Sequence, residues 1–189
     1  MEIEFLTAAC QCGKVVIEAA RVPILVASCY CTDCQRAGRA FEKMPSAAQV
    51  LDADGGTPFV VYRKDRIACV RGREYLAECR LKPDSPTRRV HATCCNSAMF
   101  LDFTKGHWLS LYRGRFGPNA PPVEMRIMTS ERRGEAALRP DVPNYEGRPG
   151  SFMWKLLVTW AAMGFRRPDM GLANLPQSAF DGDQINELR

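Results

Sequence analysis

Residues 28–38 read SCYCTDCQRAG and residues 10–13 read CQCG, so five cysteines fall in two short stretches that flank a run of β-branched residues. A chain of 189 residues can bury a sizeable core without covalent staples, so thiols are not needed there merely to make it fold. Closely spaced cysteines in turns suit a tetrahedral metal, because a short loop lets two sulfurs converge on one zinc ion at ~2.3 Å. Cys-x-Cys alone is a weak signal. Cys29-Tyr30-Cys31-Thr32-Asp33-Cys34 beside Cys10-Gln11-Cys12-Gly13 is a strong one, and zinc binding at one or more sites is the expectation.

The surroundings of these stretches read as strands. Lys14–Ala20 and Ile24–Ser28 are β-branched runs parted by Arg21-Val22-Pro23, which places Cys10–Gly13 just before one strand and Cys29–Cys34 just after the next. Thr57–Tyr62, Arg66–Arg71, Glu74–Leu81 and Arg88–Thr93 continue the pattern, with DADGG, VRGRE and KPDSP as turn chemistry between them. These two thirds of the chain predict an antiparallel β meander. Beyond Leu111, RGRFGPNAPP, RPDVPNYEGRPG and the tail from Pro168 are loops. Between the last two lies one convincing helix, Ser151–Arg166, with Ser151 as its N-cap and Pro168 beyond its end. Its apolar residues run nearly all round, which argues for burial against the sheet or in a subunit interface, so a homodimer through this helix is an expectation.

Composition narrows the function. The start, MEIEFLTAACQCG, carries acidic residues where a secretory signal carries basic ones, so a cytoplasmic protein is expected, in which clustered cysteines serve metals or reactivity rather than disulfides. The apolar stretch Phe152–Phe165 contains Lys155 and falls short of the ~20 residues of a bilayer span, so no membrane segment is expected. The net charge of +5 is spread over pairs such as Arg88-Arg89 and Arg166-Arg167, which argues against nucleic acid and fits small anionic ligands such as glutathione.

CQCGKVVIEA, VASCYCTDCQRAG and RRVHATCCNSAMF together resemble the glutathione-dependent formaldehyde-activating enzyme family, which includes centromere protein V, over roughly residues 8–110. The family pattern is C-x-C-G-x-V, then C-x-C-x-x-C-[R/Q]-x-x-G, then R-x-F-C-x-x-C-G-[S/T]-x-L. The resemblance implies a mainly β, Mss4-like (β-tent) zinc-binding fold of antiparallel strands with a C-terminal helix. It implies a zinc-binding β domain over residues 1–111, with 112–189 as a loop-rich extension bearing the helix (about 151–166) and packed on the same domain. Up to two zinc ions follow. Cys10 and Cys12 join the late cysteines in a closed structural site, and Cys29, Cys31 and Cys34 hold an open one. Four protein thiolates saturate zinc, whereas three leave a position for water or a substrate thiolate.

The third motif departs from the pattern. Arg89 takes the family's arginine and Cys95 its second cysteine, but Ala92 falls where the first should be. Cys94 beside Cys95 is the preferred replacement, provided the backbone bends, because adjacent strand residues point apart. His91 is held in reserve, and the remaining reading is that this site has been lost and Cys94 is a small core residue. Cys69 and Cys79 read as small buried residues, and His107 as packing.

The reading that follows is a zinc-dependent carbon-sulfur lyase or glutathione-adduct enzyme of the S-hydroxymethylglutathione type, with Cys29, Cys31 and Cys34 as catalytic ligands. Arg36 and Arg39, just after the motif, would hold the carboxylates of glutathione as co-substrate. The alternative is a non-catalytic, zinc-stabilised binding or scaffold module, since no general base is evident. A redox sensor using Cys31 and Cys34 is a third reading.

Overall fold

The computed structural model describes residues 4–133, 137–172, 174–178 and 180. In chain order the elements are β1 (Phe5–Ala9), β2 (Val16–Ala20), β3 (Leu25–Cys29), α1 (Thr32–Glu42), β4 (Thr57–Arg63), β5 (Ile67–Arg71) and β6 (Leu76–Cys79). They continue as β7 (Thr87–Ala92), β8 (Ser97–Phe103), β9 (Trp108–Tyr112), β10 (Met125–Ile127) and α2 (Gly150–Ala162), so the fold is mainly β.

Two sheets share these strands. The smaller runs β1-β2-β5 and the larger β10-β3-β4-β9-β8-β7-β6. All pairings are antiparallel except that of β10 with β3. The expected single meander is therefore divided: after β4 the chain leaves the large sheet, lays β5 against β2, and returns at β6. The second neighbour of β4 is β9, with Val61 opposite Ser110.

Burial explains the division. β2 alternates buried and half-buried residues, as a strand with one wet face does, whereas β3 is buried at every position. Odd and even positions of the large sheet go to different layers. Val26, Val60, Tyr62, Val90, Phe100, Leu109 and Leu111 pack with Ile17 and Ala19 of the small sheet. Leu25, Ala27, Phe59, Val61 and Tyr112 face the opposite way, against Ala37 and Phe41 of α1 and Leu156 of α2.

Helix α1 was not anticipated from the sequence. Cys34, Ala37 and Phe41, at i, i+3 and i+7, form its buried stripe. At its start the Thr32 N–H donates to a Glu131 carboxylate oxygen at 2.8 Å, which satisfies a donor the helix cannot. Helix α2 begins at Gly150 with Pro149 as N-cap, not at Ser151, and stops at Ala162. Its expected burial is realised along one side only: Leu156 is buried, while Trp154 is 65% and Leu157 47% exposed. No helix among the described residues is long and apolar enough to cross a membrane.

Candidate metal centres

Four cysteines converge at the end of the layer between the two sheets. Cys10 and Cys12 lie in the turn before β2, which Gly13 closes with φ of +73° and an N–H to the Cys10 carbonyl at 2.9 Å. Cys94 and Cys95 lie in the four-residue turn between β7 and β8, closed by Asn96 in the left-handed region with φ of +51°. A turn, unlike a strand, lets adjacent side chains point to one place. The two turns are tied by Ser97, whose Oγ accepts the Gln11 N–H at 3.0 Å and lies 3.1 Å from Cys95 Sγ.

The sulfurs of these four residues all lie within 4.8 Å of one another. The separations Cys10–Cys12, Cys10–Cys94, Cys12–Cys94 and Cys94–Cys95 are 3.6, 3.9, 3.3 and 4.0 Å. A tetrahedron with arms of ~2.3 Å has edges of about 3.8 Å, so the donor set fits a zinc ion. Ala92, which replaces a ligand of the family pattern, is fully buried in the core behind this turn. His91 is not in the group: the strand turns it to the other side of the large sheet, where its ring lies 5.8 Å from that of Phe41. Burial raises the Cys95 thiol, but hydrogen bonds from Ser97 and from the Cys12 and Ser97 backbone outweigh it and bring Cys95 down to about 6.

The second group stands on the opposite face of the large sheet. Cys29 ends β3, Cys31 occupies the N-cap of α1 and Cys34 its first turn, and their sulfurs also lie within 4.8 Å of one another. Three thiols around the positive end of a helix can give up protons to a metal readily. The Cys31 thiol falls well below the ordinary range because Cys29 and Cys34 donate hydrogen bonds to it, with the Arg89 charge adding to the effect. The hydrogen bond to Cys31, helped by burial, pushes Cys29 up to about 12 against the opposing pull of its hydrogen bond with Cys34. The donor chemistry fits zinc with a fourth position open.

These three cysteines line a cavity of about 420 Å³. Its floor is one face of the large sheet, reached by alternate residues, Phe59 and Val61, Trp108 and Ser110, Leu101 and Phe103. Phe152, Met153 and Leu156 of α2 cover it, Arg89 lies close enough to Cys31 to act on its charge, and Arg148 adds a second cation to the lining. Arg89 is only 2% exposed and donates to the Asp33 carbonyl at 3.2 Å.

Neither Arg36 nor Arg39 lines this cavity. Arg39 donates to Gln35 Oε1 at 3.4 Å and borders a separate, open depression with Glu42 and Asp52. One helical turn carries both side chains off the cysteine face, and the arginines that reach the site come from β7 and from the loop before α2. Arg89 had a signal in the third motif, where it matches the family arginine. Arg148 had none.

The family model of the glutathione-dependent formaldehyde-activating enzyme matches residues 5–111. Among curated proteins, none matches the chain. The crystal structure of a Rhodobacter sphaeroides protein is similar at 14% identity and a TM-score of 0.44, covering 74% of this chain and 99% of that one.

Proposed function

Because the chain belongs to the glutathione-dependent formaldehyde-activating enzyme family, we propose that it makes or breaks a carbon-sulfur bond, as a lyase or glutathione-adduct enzyme, in the cavity lined by Cys29, Cys31 and Cys34. One observation carries this reading: the three-cysteine group opens into a cavity beside two arginines, whereas Cys10, Cys12, Cys94 and Cys95 take no part in that cavity's wall. Cys29, Cys31 and Cys34 would hold the zinc ion, which when bound would supply activation of a substrate thiol as thiolate. The chain's own residues do the rest. Arg89 and Arg148 engage carboxylates of the thiol substrate by charge-assisted hydrogen bonds, and the apolar floor and α2 exclude water from the reacting carbon. Asp33 is the one carboxylate among the described residues of the lining, exposed at the rim, where a proton can exchange with solvent.

Calorimetric titration of zinc-loaded protein with glutathione tests this. The natural chain binds it, Cys31→Ser abolishes binding, and Arg89→Met weakens it roughly 10- to 100-fold, the range for losing hydrogen bonds to a charged group. A folded, zinc-loaded chain without affinity for glutathione would instead be a scaffold module.

A further inference from the structure

The cavity must hold the thiol together with the carbon group it carries, and much of its lining beyond the thiols and charged groups is apolar. The thiols Cys29, Cys31 and Cys34 and the cations Arg89 and Arg148 suit the sulfur and carboxylates of a thiol, and Asp33 suits its amine. Four aromatic rings then remain with no polar role: Phe59, Phe103, Trp108 and Phe152. Phe103 and Trp108 stack with centroids 5.7 Å apart, which presents a flat wall. A small polar aldehyde would leave that wall facing water it cannot hydrogen-bond. An apolar group would fill it.

A second observation concerns origin. Ile127, Arg148, Phe152, Met153 and Leu156 lie beyond the matched residues 5–111, so the family core supplies the thiols and the later segment supplies the roof. Phe152 and Leu156, one helical turn apart on α2, share the side that meets the sheet.

We infer that the carbon half of the substrate is a bulky apolar aldehyde, with an aromatic or long hydrocarbon chain, and that α2 sets this specificity. This rests on the reading of the site as one that acts on a thiol adduct. The thiol sulfur bonds to the carbonyl carbon, the C=O π bond breaks, and the thiol proton ends on the oxygen, giving a hydroxy thioether. No electrons enter or leave. The reverse step returns aldehyde and thiol.

The test is the affinity of the zinc-loaded full chain for glutathione, S-methylglutathione and S-benzylglutathione, the two thioethers standing in for small and aromatic adducts. The benzyl compound should bind tenfold or more tighter than the methyl one, from the extra apolar surface it buries. Phe152→Ala should remove most of that preference, and so should Met153→Ala, whose half-exposed site lets the variant fold. Trp154→Ala, on the exposed side of α2, should keep it. Equal affinity for both thioethers, with glutathione itself bound, overturns this inference and leaves the carbon-sulfur reading standing. Failure of glutathione and both thioethers to bind overturns both.

Discussion

Cys94 and Cys95 are neighbours in sequence, yet their sulfurs lie 4.0 Å apart beside those of Cys10 and Cys12, because the β7–β8 turn and Asn96 bend the backbone where a straight strand would splay them. This centre clips two turns separated by most of the β domain, whereas the three-cysteine centre joins residues within six positions of each other in sequence. The two should therefore answer differently to loss of one ligand. Cys12→Ser should lower the zinc content of zinc-loaded protein by one ion per chain and cost about 4–5 kcal/mol of stability or more, the range reached when a structural metal is lost. Cys31→Ser should also cost one zinc ion but lower the unfolding midpoint far less, and elemental analysis with thermal denaturation on the same samples separates the two. Equal destabilisation would mean that both centres hold the fold. His91 makes the same point by contrast. Its sequence spacing suits a ligand, but strand alternation places it across the sheet from the four thiols.

At the scale of elements, legibility followed periodicity. KVVIEAA, TPFVVY and the runs at 66–71 and 88–93 became β2, β4, β5 and β7 within a residue or two at most ends, because β-branched residues bounded by turn chemistry leave little alternative. β8 and β9 were harder: SAMFLDF is buried on both sides through Phe100 and so lacks the alternation that marks a strand. Helix α1 was hidden by its own chemistry, since Cys34, Gln35 and Gly38 on its buried side do not look apolar. The metal ligands could be grouped from spacing, but the cavity could not, because Arg89 and Trp108 reach it through sheet order and Arg148 through the loop before α2. Glycine shows how surroundings decide an element's tolerance. Gly13 and Gly72 have φ of +73° and +76°, but a side chain at Gly13 meets open space while one at Gly72 collides with the Lys14 carbonyl oxygen. Gly13→Ala should cost about 1–2 kcal/mol, the left-handed penalty alone. Gly72→Ala should cost more, because backbone on both sides must move, and chemical denaturation of the two variants reads the difference.

Across the whole molecule, the large sheet separates two layers with different tasks: one closes against the small sheet and ends in the four-thiol centre, the other carries the three-thiol cavity. Its β6 edge is finished by the chain's later residues, where the Glu78 N–H donates to the Pro176 carbonyl at 2.9 Å and the Ser178 N–H to the Glu78 carbonyl at 2.8 Å. A buried charge cluster fastens that edge. Arg88 meets Glu78 and Asp102 at 2.9 Å each and donates to the Leu172 carbonyl at 2.7 Å, while Lys64 meets Asp102 at 2.8 Å. Asp102 side-chain exposure is 3%, so solvent cannot replace it as partner to two cations. Asp102→Ala should therefore destabilise the protein by about 3–5 kcal/mol, the cost of stranding buried charge. Replacing Lys64, Glu78, Arg88 and Asp102 together by apolar residues of similar volume should cost much less, since it strands none of the four charges and also removes the desolvation that the ion pairs only offset. The cluster lies outside both cysteine groups, so zinc content should be unchanged in either variant. A zinc ion lost with Asp102→Ala would show instead that the sheet edge and the metal centres fold as one unit.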